Sequence, residues 1–254
     1  MSDLPHPLSR TVVIRAPREV VFRYFTDSAR WARWWGKGST IEGRVGGAVC
    51  IVYPNGVVVR GEVTAFTPGR GLAFTYGYES TEPELPVGSS LVTIALHDDD
   101  AGTRLELRHD LPGAKARDRH VPGWRFQLAQ FANAVADEQH AGAAARIDAW
   151  FRAWAAPDDA SCRELLLACA TDDVTMQDRW SCIAGRDELI AHIAACRLHM
   201  PGVTTRRDGD VRHCQGTAVA TWVATDATGI ARGAGTNVVR FAPDGRIAAV
   251  VGLW

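Results

Sequence analysis

Pro122-Gly123-Trp124-Arg125-Phe126-Gln127-Leu128-Ala129-Gln130-Phe131-Ala132-Asn133-Ala134-Val135 is the stretch on which the reading of the first half turns. Trp124, Leu128, Phe131 and Val135 recur at helical spacing and make one apolar stripe. A stripe of that length must be buried against another layer, and the sequence before it is strand-like. Thr103-Arg104-Leu105-Glu106-Leu107-Arg108-His109 alternates strictly, so Arg104, Glu106 and Arg108 face water while Leu105, Leu107 and His109 face inward. Phe74, Tyr76 and Tyr78 alternate in the same way. Pro54-Asn55-Gly56 separates two strand-like runs, Val49–Tyr53 and Val57–Phe66, and Asn-Gly is a strong hairpin signal. Pro68-Gly69-Arg70-Gly71 and Asp98–Gly102 punctuate further strands. The expected arrangement is a long helix, opening at Pro122, laid across a curved antiparallel sheet.

Working outward, Thr11–Arg15 reads as a first strand, and Pro17 fits the first turn of a helix whose apolar face is Val20, Val21, Tyr24 and Phe25. Asp27 and Ser28 can cap a second short helix carrying Trp31, Trp34 and Trp35. On the other side, Asp137–Ala144 loses the apolar rhythm and contains glycine, so a domain boundary is expected there. The domains are accordingly residues 1–139 and 144–254. A new amphipathic helix follows, with Ile147, Trp150, Phe151 and Trp154 on one face. Helices through Arg163–Ala170 and Arg186–Arg197 precede strands near Val203–Cys214, Ala218–Thr225, Ile230–Phe241 and Ile247–Trp254.

Val13-Ile14-Arg15-Ala16-Pro17, Trp31 to Trp35, Arg44-Val45-Gly46-Gly47, Gly61-Glu62-Val63 and His120-Val121-Pro122-Gly123-Trp124 together resemble the START/SRPBCC superfamily, in its Aha-type heat-shock-protein ATPase activator branch. Asp172-Asp173-Val174, Gly185–Ile190, and Gly235–Phe241 followed by Asp244-Gly245-Arg246-Ile247 resemble the nuclear-transport-factor-like fold, in its SnoaL-like branch. The implied fold class is α+β: a helix-grip antiparallel sheet domain, then a cone-shaped α+β barrel domain. The first resemblance implies a cavity for an apolar small molecule. In SnoaL-like cyclases the position matching Asn237 is often an acid serving as the base, and here it is an amide that cannot take a proton at neutral pH.

A net charge of −1 argues against a nucleic-acid or anionic-membrane partner. Only Lys37 and Lys115 are lysines among the 28 basic residues, which with the abundant alanine reads as coding bias in a high-GC bacterium. Met1–Pro7 lacks a signal-peptide pattern, and no apolar run is long enough to span a bilayer, so a cytoplasmic location is expected. The six cysteines form no Cys-x-x-Cys pair and are expected to be free, mostly buried thiols. No metal-ligand spacing, nucleophile elbow, P-loop or dinucleotide fingerprint is present, so no metal or cofactor is expected.

Inward-facing His109 either orients or deprotonates a ligand, or is a core histidine bonded to the backbone. Trp34, Trp35, Tyr53, Phe74, Tyr76 and Trp124 are candidates for a cavity wall, with ordinary core packing as the alternative. In the second half, Trp180, Trp222 and Asn237 are candidates for a second pocket, and His192 with Asp178 for acid–base work there. His192 as a surface histidine and Asp178 as a loop carboxylate are the alternatives. The loop Glu79–Gly88 is expected to be solvated, with a lid over the cavity mouth as the alternative. Three functions stay open: a carrier of a small hydrophobic or aromatic molecule, a cofactor-free cyclase, dehydratase or isomerase, and a chaperone-associated stress-response module. A homodimer through the second domain is expected, with Thr217, Val219, Thr221, Val223 and Thr225 as its β-branched face.

Overall fold

A computed structural model describes residues 4–80 and 85–254 of the chain. The fold divides into two compact units, residues 1–135 and 136–254. In the first, β1 (His6–Ile14) is followed by α1 (Arg18–Arg23), α2 (Ser28–Ala32), β2 (Thr40–Ile41), β3 (Ala48–Val52), β4 (Val58–Thr67), β5 (Gly71–Tyr78), β6 (Ser90–Asp99), β7 (Gly102–Leu111) and α3 (Ala114–Gln139). All neighbours in the sheet order β1-β7-β6-β5-β4-β3-β2 are antiparallel. The helical stripe Trp124, Leu128, Phe131 and Val135 shares one core with Val92 and Ile94 of β6 and Leu105 and Leu107 of β7. Burial alternates along β7 as its sequence requires, and His109 is fully buried.

Four details differ from the sequence reading. The long helix begins at Ala114, two turns before Pro122, which lies inside it. Proline there cannot donate to the carbonyl of Asp118, so a breaker signal is overridden by the burial of the stripe on either side. The tryptophan helix α2 ends at Ala32, leaving Trp34 and Trp35 on the turn beyond it. Asp27 does cap α2, accepting from the amides of Ala29 and Arg30. The loop before β6 is not wholly solvated: Leu85 is in the core and its carbonyl accepts from the Tyr78 amide at 2.8 Å. The rest of that expectation, at residues 81–84, lies outside the described residues, as does Met1–Asp3. Finally, Cys50, Cys162 and Cys169 are buried, but Cys182 and Cys214 are exposed.

The second unit contains α4 (Ala143–Trp154), α5 (Asp159–Cys169), β8 (Ala170–Gln177), β9 (Cys182–Ala184), α6 (Arg186–His199), β10 (Thr204–Cys214), β11 (Thr217–Thr225), β12 (Ala231–Phe241) and β13 (Ile247–Leu253). Its sheet runs β10-β11-β12-β13-β8-β9, antiparallel except where β13 meets β8. Ile147, Trp150 and Phe151 of α4, with Leu189 and Ile193 of α6, pack on Ala218, Ala220 and Phe241. The small residues of β11 are buried on that face. On the other face Thr221 is exposed and Thr217, Val219, Val223 and Thr225 are half-buried. Buried Arg186 holds the start of α6, donating to the Ala170 carbonyl at 3.0 Å and pairing with Asp172. Among the described residues no helix is long and apolar enough to cross a membrane.

Candidate functional site

Helix α3 crosses the sheet so that one of its faces meets β5 and β7, and two histidines stand at that junction. The Trp124 indole N–H donates to His109 Nδ1 at 3.0 Å. An indole nitrogen can only donate, so Nδ1 must accept, and neutral His109 carries its proton on Nε2. That N–H points at Ser90 Oγ, 2.9 Å away, and the Ser90 hydroxyl in turn donates to the Tyr76 carbonyl at 2.8 Å. Every polar atom of this buried set is satisfied by protein. Burial, then the neighbouring His120, pushes the His109 pKa down to about 3. The ring stays neutral at ordinary pH, yet it has no lone pair left to take a proton from a ligand.

His120, one helical turn before Trp124, has the opposite tautomer. Its Nδ1 lies 2.7 Å from the Ala116 carbonyl, which can only accept, so Nδ1 carries the proton and Nε2 is an acceptor. The Tyr78 hydroxyl is 3.1 Å from that Nε2 and must donate to it. Tyr76 then donates to Tyr78 at 3.2 Å, and Tyr53 to Tyr76 at 2.9 Å. The four side chains form one directional chain, Tyr53 to Tyr76 to Tyr78 to His120, drawn from β5, α3 and the β3–β4 hairpin. Burial raises the pKa of all three tyrosines, so they remain hydroxyls. His120 is lowered, by burial first and by the Arg119 charge as well.

This chain borders a cavity of about 290 Å³. Its apolar walls are Trp35, Trp124 and Val57, and Arg119 and Asn55 are exposed at its rim. Of the wall residues expected from sequence, Trp35, Tyr53, Tyr76 and Trp124 are on it. Trp34 and Phe74 are not. Trp34 is enclosed by the rings of Phe25, Trp31 and Phe131, and Phe74 packs edge-on against Trp31, so both are core. Tyr78 belonged to the alternating aromatic set, but His120, Ser90 and Arg119 were not anticipated. The spacing of His120, Trp124 and Gln127 on one helix face carried the signal, hidden by starting the helix at Pro122.

The second unit brings Asp178, Asn237 and Trp254 together around Gly252. Buried Asn237 accepts from the Trp222 indole at 3.1 Å, and Trp222 meets Trp254 edge-on. The depression that Asp178 and Trp254 line is open. Asp178 Oδ1 accepts from the Trp180 and Ser181 amides and the Ser181 hydroxyl, which makes it the cap of its own turn. Trp180 is 70% exposed beneath the Arg179 guanidinium, so it forms no pocket wall. His192 Nε2 lies 3.5 Å from Cys196 Sγ, and its ring meets Trp154 edge-on. The hydrogen bonds of Asp178 go to its own turn and the contacts of His192 to Cys196 and Trp154, with none between the two side chains. Among the described residues no cluster of His, Cys, Asp and Glu could hold a metal ion.

Fold and cavity define a tandem of two α+β units, the first gripping a long helix over an antiparallel sheet. Residues 15–136 match the family model described as Activator of Hsp90 ATPase homolog 1-like protein, and residues 147–250 match the SnoaL-like domain. The N-terminal half thus resembles the Aha-type domain and the C-terminal half the SnoaL-like domain. Among solved structures, the AHSA1 protein from Silicibacter pomeroyi is 25% identical, covering 52% of this chain and 99% of that one, with a TM-score of 0.43. A SnoaL-like family protein from Agrobacterium tumefaciens is 24% identical, covering 45% of this chain and 96% of that one, with a TM-score of 0.42. The Aha1 dimer from Colwellia psychrerythraea is 17% identical, covering 51% and 96%, with a TM-score of 0.44. No curated protein is significantly similar to the chain.

Proposed function

We propose that the first unit binds a small aromatic molecule carrying one polar group, and that it acts as a binding module with no assigned chemistry. The observation that carries this reading is the cavity itself. Indoles and an aliphatic side chain form its walls, and a fixed chain of hydroxyls ending on an imidazole forms its polar side. Apolar walls with a few convergent polar groups are the usual make-up of small-molecule sites. Acid–base catalysis is less well supported, because both nitrogens of His109 are engaged, Asp178 caps its own turn and position 237 is an amide. Association of two copies through the outer face of β11 remains part of the reading.

Titration of the full chain with naphthalene, followed calorimetrically, tests the site. Val57 is half-buried on the wall, and Val57→Trp fills the space without removing any member of the hydrogen-bonded set. Naphthalene binding is expected to vanish in this variant while the thermal midpoint stays within a few degrees. Undiminished binding would place the ligand elsewhere and end this assignment.

A further inference from the structure

We infer that the cavity selects its ligand by hydrogen-bond polarity, taking an N–H or O–H donor at Tyr53 while His120 is neutral and a carbonyl-type acceptor once His120 is protonated. The inference rests on the cavity being a binding site, but its content comes from proton counting along the chain.

Each tyrosine hydroxyl has one proton to give. With Nδ1 of His120 committed to the Ala116 carbonyl, Nε2 must receive. That forces Tyr78, then Tyr76, then Tyr53 to spend their protons inward. Tyr53, the first member, is left with oxygen lone pairs only, and it stands on the cavity wall. A ligand can satisfy it by donating; a carbonyl placed there meets lone pairs with lone pairs. Protonating Nε2 reverses every bond. His120 then donates to Tyr78, Tyr78 to Tyr76 and Tyr76 to Tyr53, and the Tyr53 proton is released toward the cavity. One proton is taken up from solvent and none is lost; the Tyr78 hydroxyl has to turn toward Tyr76 to donate, because at rest the geometry has Tyr76 giving that proton.

The surroundings of His120 make this an acid-side event. Tyr76 and Tyr78 face it from β5 and His109 from β7, while Arg119 of its own helix adds a positive charge. A second recess of about 220 Å³ borders its other side, lined also by Lys115 and Arg119. Among the described residues lining the two spaces, none is a carboxylate. The Ala116 carbonyl favours the imidazolium, but burial outweighs it, and the second recess gives a proton access to the ring. The neutral tyrosines keep the chain intact throughout.

The test compares indole, which only donates, with acetophenone, which only accepts, by calorimetry on the full chain. At neutral pH indole is expected to bind about three- to tenfold more tightly, the worth of one neutral hydrogen bond. The ratio should fall and then invert as the pH is lowered below the ordinary imidazole range, because burial holds His120 below it. Tyr78→Phe cuts the chain. Tyr76, freed from its acceptor, can then donate to Tyr53, and Tyr53 can present its proton to the cavity. This variant should prefer acetophenone already at neutral pH, a gain that loss of a merely structural hydroxyl would not produce. His120→Gln removes the titrating group, so its ratio should not depend on pH. If both probes bind and their ratio ignores pH and Tyr78→Phe, the polarity inference is overturned while the cavity stands. If neither probe nor naphthalene binds, the site reading fails, and this inference with it. Should Tyr78→Phe not fold, the pH series on the unaltered chain and on His120→Gln decides alone.

Discussion

His109 shows what one buried residue does to stability. Its unfolded form takes a proton near pH 6.5, and its folded form only near 3. Between these values the unfolded state binds more protons, so acid favours unfolding. The stabilisation held by the neutral ring is complete above about 6.5 and is lost as pH falls through that window toward about 3. The slope is at most about 1.4 kcal/mol per pH unit. His109→Gln can keep an acceptor for the Trp124 indole and a donor for Ser90, and it does not titrate. Its urea-derived stability should therefore fall less steeply with acid than that of the unaltered chain; parallel curves would refute the assignment. His109 was legible as an inward residue because strict alternation fixes a strand's faces. Its tautomer was not legible, because Trp124 and Ser90 reach it only through the folded sheet. Trp34 and Phe74 show the same limit from the other side. Period tells which side chains point inward, but whether they meet a cavity or another ring depends on elements far away in sequence.

Elements were legible where punctuation and period agreed. At the β3–β4 hairpin the Asn55 side chain accepts from the Val57 amide and Gly56 takes φ of 83°, as an Asn-Gly turn requires. They were illegible where the two conflicted, as with Pro122 inside α3. Strands β8 and β9 were also missed. Thr171–Asp173 is short and acidic, and β8 gains its place by pairing parallel with β13, some seventy residues on, and antiparallel with β9. Gly61 of β4 is the clearest case of one residue fixing an element. A Cβ there would overlap the carbonyl oxygen of Thr75 on β5. The strands are drawn together at this point, and the Thr75 hydroxyl accepts the Glu62 amide at 2.9 Å. Gly61→Ala must push β5 away. The expected cost is about 2–4 kcal/mol in chemical denaturation. Because β5 carries Tyr76 and Tyr78, naphthalene affinity should fall in the protein that still folds. An unchanged denaturation midpoint would show that the backbone absorbs the methyl group elsewhere.

At the scale of the whole chain, the two units have separate hydrophobic cores, and each is expected to fold alone. The boundary chosen decides how well. A break placed between residues 139 and 144 follows the loss of apolar rhythm in the sequence, but the division by contacts falls at residues 135 and 136. The intervening residues are tied to the second unit. Gln139 donates to the Pro243 carbonyl at 2.8 Å, and buried His140 stacks on Phe241 with ring centroids 5.4 Å apart. These contacts are polar or mixed, which is why no apolar period announces them. A fragment 144–254 discards both and uncovers Phe241; a fragment 136–254 keeps them. One hydrogen bond and one aromatic stack should make the longer fragment more stable by about 1–3 kcal/mol in urea. Equal stabilities would mean that His140 only covers the surface. Failure of both fragments to unfold cooperatively, with the full chain melting as one transition, would instead show that the units do not fold independently. The fragment 1–139 retains the cavity residues from Trp35 to Gln127, so it should bind naphthalene with the affinity of the full chain.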